Sequence, residues 1–99
     1  MIPNFEWDEA KALENFRKHG VRFEEAATVF GDEDALIEDD LDHSEDEDRF
    51  IITGVSWRER VLLTAYTIRR ADTVRIISSR RAQPHERQTY EEKIARKHR

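Results

Sequence analysis

Three β-branched stretches separated by short polar turns constrain the fold of this 99-residue chain more than any other feature. They read "RFIITGVSW", "VLLTAYTIR" and "VRIISSR", and the segments between them are "RER" and "RADT". Valine, isoleucine and threonine favour strands, and connections this short join antiparallel neighbours. The sequence therefore predicts an antiparallel meander, to which "ALIED" adds a fourth strand.

Helical patterns flank the predicted sheet on both sides. Asp8 is placed as the N-cap of a first helix, and Gly20 is placed to end it in the left-handed conformation. "VRFEEAATVFG" has the apolar spacing of a second helix, and "PHERQTYEEKIARKHR" starts a third with Pro84 in its first turn. "FEWD" is at most a short strand. We expect one α+β domain over residues 1–99: two N-terminal helices, an antiparallel sheet of about four strands and a C-terminal helix. The helices should cover one sheet face and leave the other open to a ligand.

Composition narrows the class of protein. The chain contains no cysteine, so it has no disulfide and no thiolate metal site, which fits a reducing cytosol. No apolar run reaches the roughly 18 residues of a membrane span. The beginning "MIPNFEWDEAK" lacks the basic start and apolar core of a signal peptide. We therefore expect a cytoplasmic protein with no membrane partner.

Charge is segregated along the chain, although the net charge is only −5. Residues 32–48 hold eleven Asp or Glu and no Lys or Arg, whereas residues 69–99 hold ten Lys or Arg against four Asp or Glu. The basic C-terminal third suits a phosphate ligand. The acid run suits either solvent or a basic protein partner.

Several kinds of site are excluded by residue type and spacing. Only three glycines are present, too few for a glycine-rich phosphate loop, and the four histidines show no zinc-ligand spacing. "DEDALIEDDLDH" lacks the central glycine of a calcium loop. We predict no metal and no cofactor. The side chains that remain are those of histidine, lysine, arginine, glutamate and tyrosine. They suffice for RNA cleavage by the neighbouring 2′-hydroxyl, which needs a base, an acid and cations for the phosphate.

Each candidate residue also has an ordinary structural explanation when it is taken alone. Lys18 and His19 suit the negative end of a helix dipole. Strict alternation along "VRIISSRR" puts Arg75, Ile77 and Ser79 on one face and Val74, Ile76, Ser78 and Arg80 on the other. An ion pair with the acid run is the ordinary explanation for Arg75 there, and a bound anion is the alternative. Arg49, taken alone, is explained as one member of a surface ion pair. Glu86 at the start of a helix suits the positive end of the helix dipole.

Taken together, three segments resemble a known family. They are "FEWDEAKALENFRKHGVRFEEAATVF", "EDEDRFIITGVS" and "RIISSRRAQPHERQTYEE", in the family's order and spanning about residues 5–92. The chain resembles BrnT-type toxins, the ribonuclease halves of bacterial type II toxin–antitoxin pairs. Carried onto matching positions, the family's polar signature falls on Asp8, Lys11, Asn15, Lys18, His19, Gly20, Glu47, Arg49, Arg75, Ser78, Arg80, Glu86 and Tyr90.

The resemblance implies a RelE-like fold, endoribonuclease activity on cellular RNA and growth arrest. It also implies a BrnA-like antitoxin with a ribbon-helix-helix DNA-binding part, through which alone the toxin would reach operator DNA. Ser79 departs from the family's usual alanine, and "QPH" from a more basic linker.

These considerations give one catalytic hypothesis and one rival. Lys18 or His19 acts as general base, and Arg49, Arg75 and Arg80 hold the phosphate. The supporting residues are Glu47, Glu86 and Tyr90, with the two glutamates orienting the arginines. The rival is a non-catalytic binding module, either a decayed toxin that keeps its partner or a co-repressor subunit.

Overall fold

The computed structural model of the chain describes residues 4–43 and 48–98. Its elements, in chain order, are β1 (Asn4–Glu6), α1 (Glu9–His19), α2 (Phe23–Thr28), β2 (Leu36–Asp39), β3 (Arg49–Val55), β4 (Val61–Arg69), β5 (Thr73–Arg81) and α3 (Pro84–Lys97). Short 3-10 turns at Val29–Gly31 and Leu41–His43 follow α2 and β2. The predicted α+β class is confirmed.

The strands form one mixed sheet within the described residues, in the order β1-β5-β4-β3-β2. The meander of β2 to β5 is antiparallel, as the short turns predict. β1 differs from the prediction because it adds a fifth strand, parallel to β5, with Phe5 opposite Val74. A three-residue strand carries little periodicity, and its partner lies far away along the chain, so local pattern gives no basis for this pairing.

The helix boundaries follow the predicted caps. The Asp8 carboxylate accepts hydrogen bonds from the backbone N–H groups of Ala10 and Lys11, at 2.8 and 3.1 Å. Gly20 ends α1 with a φ of 69° and donates its N–H to the Phe16 carbonyl. A left-handed φ is strained for residues with a Cβ atom, which explains the glycine at this position.

The core lies between one sheet face and the first two helices. Val21, Phe23, Ala26 and Val29 are fully buried and pack against a set of sheet side chains. That set is Ile52, Leu62, Tyr66, Val74 and Ile76. We call this side of the sheet the core face. Burial of these side chains supplies the main driving force for folding.

The opposite side, which we call the outer face, carries most of the polar strand residues. The strand register places on it Arg49, Ile51, Thr53, Leu63, Ala65, Thr67, Arg75, Ser78 and Arg80. The first two helices leave this face uncovered, as expected. The C-terminal helix departs from the expectation that all the helices cover the same face. In α3, His85 and Glu86 line a cavity of about 210 Å³ together with Thr53 and Leu63 of the outer face.

A bulge in β5 corrects the predicted alternation. Ala65 is paired with Ser78 and Tyr66 with Ile76, so Ile77 is an extra residue in the ladder. An extra residue shifts the side-chain alternation by one position. Arg75 therefore shares the outer face with Ser78 and Arg80, whereas strict alternation had separated them.

Candidate functional site

The last turn of α1 carries Lys18 and His19. Lys18 is exposed and His19 is half-buried, while Gly20 ends the helix immediately after them. Positive charge here complements the carboxyl end of the helix dipole, as the sequence predicts. This end of α1 is also attached to β5 by hydrogen bonds.

Asn15 makes that attachment and is the one buried residue of α1. Its amide donates 2.9 Å hydrogen bonds to the carbonyls of Val21 and Ser79, and its carbonyl accepts from the Ser79 N–H at 3.0 Å. The side chain thus pairs with β5 as a neighbouring strand would, beyond the point where β1 ends. This contact fixes the distance between His19 and the C-terminal half of β5.

Two adjoining clefts border this junction. The α1–β5 cleft, of about 250 Å³, is lined by Lys11, Glu14, Asn15, Lys18, His19, Ile77 and Ser78. The outer-face cleft, of about 270 Å³, is lined by His19, Asp40, Asp42, Ile51, Leu63, Ala65, Ser78, Ser79 and Arg80. His19 and Ser78 line both. The structure therefore brings together Lys18, His19 and Arg80, three of the five predicted catalytic residues.

Arg80 is held by Glu86 in a two-pronged ion pair. Nη1 and Nη2 of Arg80 donate to the two carboxylate oxygens of Glu86, at 2.8 and 2.9 Å. Glu86 Oε1 also accepts from the Gln83 N–H at 2.8 Å, which completes a capping box at the start of α3. The hydrogen bond from Arg80 lowers the pKa of Glu86 to about 2. The same hydrogen bond raises the pKa of Arg80, so both groups are charged near neutral pH.

Arg49 and Arg75 lie on the outer face but do not line either cleft. Arg49 is half-buried in the first position of β3, opposite Thr67, which is itself opposite Arg75. Arg75 donates to Glu6 of β1 at 2.8 Å. Within residues 4–43 and 48–98, its ion-pair partner is thus in β1 and not in the acid run. The hydrogen bond from Arg75 lowers the pKa of Glu6.

The remaining supporting residues lie elsewhere. Tyr90 is buried under α3, where its hydroxyl donates to Asp32, and Asp32 also accepts from the Val55 N–H at 2.9 Å. Burial is the largest cause that raises the pKa of Tyr90, and Asp32 raises it further. Tyr90 therefore anchors α3 and lines neither cleft. Glu47 lies outside the described residues.

Two acidic residues of the outer-face cleft were not among the predicted site residues. Asp40 and Asp42 line the outer-face cleft together with His19 and Arg80. The acid run was visible in the sequence, but its course past the sheet was not. Asp40 is buried, and its N–H donates to the Arg49 carbonyl at 2.9 Å, which brings the acid segment alongside β3.

The fold is shared with a solved bacterial toxin. The crystal structure of the Brucella abortus ribonuclease toxin BrnT, at 1.1 Å resolution, matches with a TM-score of 0.63 and 20% identity. The match covers 82% of this chain and 97% of that one. No curated protein sequence matches the chain.

The sequence itself identifies the family. Residues 7–86 match the family described as "Ribonuclease toxin, BrnT, of type II toxin-antitoxin system". The chain belongs to this family, which confirms the resemblance drawn from the three sequence segments. Among residues 4–43 and 48–98, no helix has both the length and the apolar character needed to cross a membrane.

Proposed function

We propose that this chain is an endoribonuclease toxin that cleaves RNA in the cytoplasm by attack of a 2′-hydroxyl on the adjacent phosphate, without a metal ion. The observation that carries the proposal is that His19 of α1 and Arg80 of β5 line one cleft. Imidazole titrates near neutrality and suits transfer of the 2′-hydroxyl proton. The guanidinium suits the charge that grows on the phosphate oxygens. As the 2′-oxygen bonds to phosphorus, the P–O5′ bond breaks and the leaving 5′-oxygen takes up a proton, which gives a 2′,3′-cyclic phosphate and a 5′-hydroxyl end.

The neighbouring residues take supporting roles in this proposal. Lys18 lines the adjoining cleft with His19 and either supports it or replaces it as the general base. Arg49 and Arg75 extend the positive charge along the outer face and would hold the RNA backbone beside the scissile phosphate. Glu86 orients Arg80 through its two-pronged pair. Glu47 keeps its predicted role of orienting an arginine.

Substitution of the two cleft residues tests the proposal. His19→Ala and Arg80→Ala should each abolish growth arrest after induced expression. His85→Ala and Arg81→Ala are matched controls at exposed positions and should arrest growth as the parent does. Purified parent protein should cleave RNA in the presence of EDTA and leave cyclic phosphate ends, as read by end-mapping. If both cleft variants remain as toxic as the parent, the proposed site is wrong.

The acid segment supports a proposal for the antitoxin. Glu38, Asp39 and Asp42, which we call the acidic ledge, are exposed beside Ile37 and Leu41, whose exposed fractions are 60% and 84%. Exposed apolar side chains within a charged border are typical of a protein interface. We expect the partner to be a BrnA-like antitoxin with a ribbon-helix-helix part, whose basic residues meet this ledge. Operator DNA would be bound only through the antitoxin.

Neutralising the ledge tests this interface. The triple variant Glu38→Gln, Asp39→Asn and Asp42→Asn should bind the antitoxin more weakly, with the largest difference at low salt. Glu91→Gln with Glu92→Gln on exposed α3 is the control. Equal affinity of the triple variant and the parent would contradict the interface. Antitoxin binding by a parent protein that never cleaves RNA would favour the non-catalytic module.

A further inference from the structure

A mostly buried ion pair contacts the residue that follows α1. Glu25 of α2 accepts hydrogen bonds from Arg60 Nε at 2.9 Å, from Arg60 Nη2 and from the Ser56 hydroxyl at 2.7 Å. The side chains of Glu25 and Arg60 are only 5% and 17% exposed. Neither lines the two clefts, and the proposed reaction uses neither.

The pair is tied to the end of α1. Arg60 Nη2 also donates to the Gly20 carbonyl at 3.2 Å. That carbonyl belongs to the residue directly after His19 and is one of the groups that an α-helix leaves without an internal partner at its end. A cation is also favourable at this end of the helix dipole. Arg60 therefore joins the β3–β4 turn to the residue that follows His19.

Asn15 holds the same segment through the next carbonyl. It donates to the Val21 carbonyl, while Arg60 donates to the Gly20 carbonyl. Two consecutive carbonyls after His19 are thus held by two different parts of the fold. Gly20 has no side chain of its own to restrict this turn, so the contacts from outside determine its position.

We propose that Arg60, aligned by Glu25, is a positioning residue that fixes the end of α1 so that His19 faces the outer-face cleft. The inference rests on the proposed function for its effect on RNA cleavage. The structural part of the inference does not depend on RNA cleavage, because the contact between Arg60 and Gly20 is present in the protein without a substrate. Misplacement of a reacting group by about 1 Å can reduce a rate by about 100-fold. Loss of the contact between Arg60 and Gly20 should therefore affect the chemical step more than RNA binding.

Replacement of the forked Arg60 guanidinium tests whether this residue positions the helix end or only pairs with Glu25. Arg60→Lys keeps a positive charge beside Glu25 but replaces the guanidinium nitrogens by one ammonium nitrogen, which cannot reproduce the fork that reaches Glu25 and Gly20 together. Glu25→Gln is a second variant that weakens the alignment from the other partner. Arg58→Lys is the control, since Arg58 is 3.9 Å from Glu25 and its side chain is 54% exposed.

The experiment measures cleavage of a short fluorogenic RNA together with amide hydrogen exchange. For Arg60→Lys we expect kcat to fall roughly 10- to 100-fold, with KM changed by less than roughly threefold. Exchange should accelerate at Gly20 and Val21 and stay unchanged in Val61–Arg69 of β4. Arg58→Lys should match the parent in both measurements.

Three results would overturn the inference: parent-like kcat in Arg60→Lys, unchanged exchange at Gly20 and Val21, or acceleration that is uniform over the sheet. The last would mean that Arg60 supports only global stability. If His19→Ala and Arg80→Ala cleave RNA like the parent, the proposed function fails separately. Exchange at Gly20 and Val21 then still decides whether Arg60 holds the helix end.

Discussion

Two arginine–glutamate pairs flank the proposed site and differ in their exposure. Arg60 and Glu25 are 17% and 5% exposed, whereas Arg80 and Glu86 are 40% and 21% exposed. Both pairs have two hydrogen bonds from arginine to carboxylate. The buried pair lines neither cleft and contacts the protein around it, so its expected role is to support the fold. Arg80 of the open pair lines the outer-face cleft, so a phosphate group can approach its guanidinium.

The largest expected difference between the pairs is in stability. Glu25→Ala leaves the Arg60 charge poorly paired in a mostly buried position, which should lower the free energy of unfolding by about 3–5 kcal/mol. Glu86→Ala leaves Arg80 partly solvated and should cost about 1 kcal/mol. Urea denaturation of both variants measures the difference. Equal losses in the free energy of unfolding would show that the difference in burial does not make the two pairs differ in stability.

The open pair should affect RNA cleavage directly, because Arg80 lines the outer-face cleft. Glu86→Gln keeps the size of the side chain but removes the charge that holds the Arg80 fork in one orientation. We expect kcat/KM to fall about tenfold, which corresponds to about 1.4 kcal/mol. Glu92→Gln, an exposed glutamate of the same helix, is the control. A parent-like Glu86→Gln variant would exclude Glu86 as an orienting residue.

The sequence predicted those parts of the fold that depend on neighbours in the chain. The Asp8 and Gly20 caps and the three strands of the meander were found because each is specified within a few residues. The predicted side-chain directions in "VRIISSRR" were wrong, because they assumed strict alternation. The bulge at Ile77 depends on how β4 and β5 pair and is not visible in the local sequence. Asn15 and Arg60 illustrate the same limit, because their partners are 64 and 40 residues away. Such contacts leave no periodic signal.

The residues that line the two clefts could be predicted from the sequence only in part, for the same reason. Lys18, His19 and Arg80 were identified from residue chemistry and from the family pattern, and each of them lines at least one of the two adjoining clefts. Asp40 and Asp42 were missed as cleft residues because an acid run also suits a solvated loop. Their position beside His19 and Arg80 places negative charge at the rim of a proposed RNA site. The resulting repulsion would limit RNA affinity where no cationic residue offsets it.

Acid should weaken the open pair over a defined pH range. Glu86 has a folded-state pKa of about 2 against an ordinary value of 4.5. A carboxyl whose pKa is lower in the folded state contributes stability above its unfolded pKa and loses that contribution as the pH falls. We expect a loss of about 1 kcal/mol between about pH 4.5 and 2, reduced by solvent screening at the exposed Arg80. Glu86→Gln should lack this component in urea titrations at successive pH values, and an identical pH profile for variant and parent would contradict it.

The smallest expected effect concerns the anchor of the helix that carries Glu86. Tyr90→Phe keeps the buried ring and removes the hydroxyl that donates to Asp32. Asp32 retains hydrogen bonds from the Asp34 and Val55 N–H groups, so the loss should be only about 0.5–1 kcal/mol. Because α3 is held less firmly, hydrogen exchange should accelerate in Pro84–Lys97, which carries one half of the open pair. The segment around Glu25 lies on other elements and should exchange at the parent rate. Equal acceleration around Glu25 and Glu86 would mean that the two pairs are mechanically coupled.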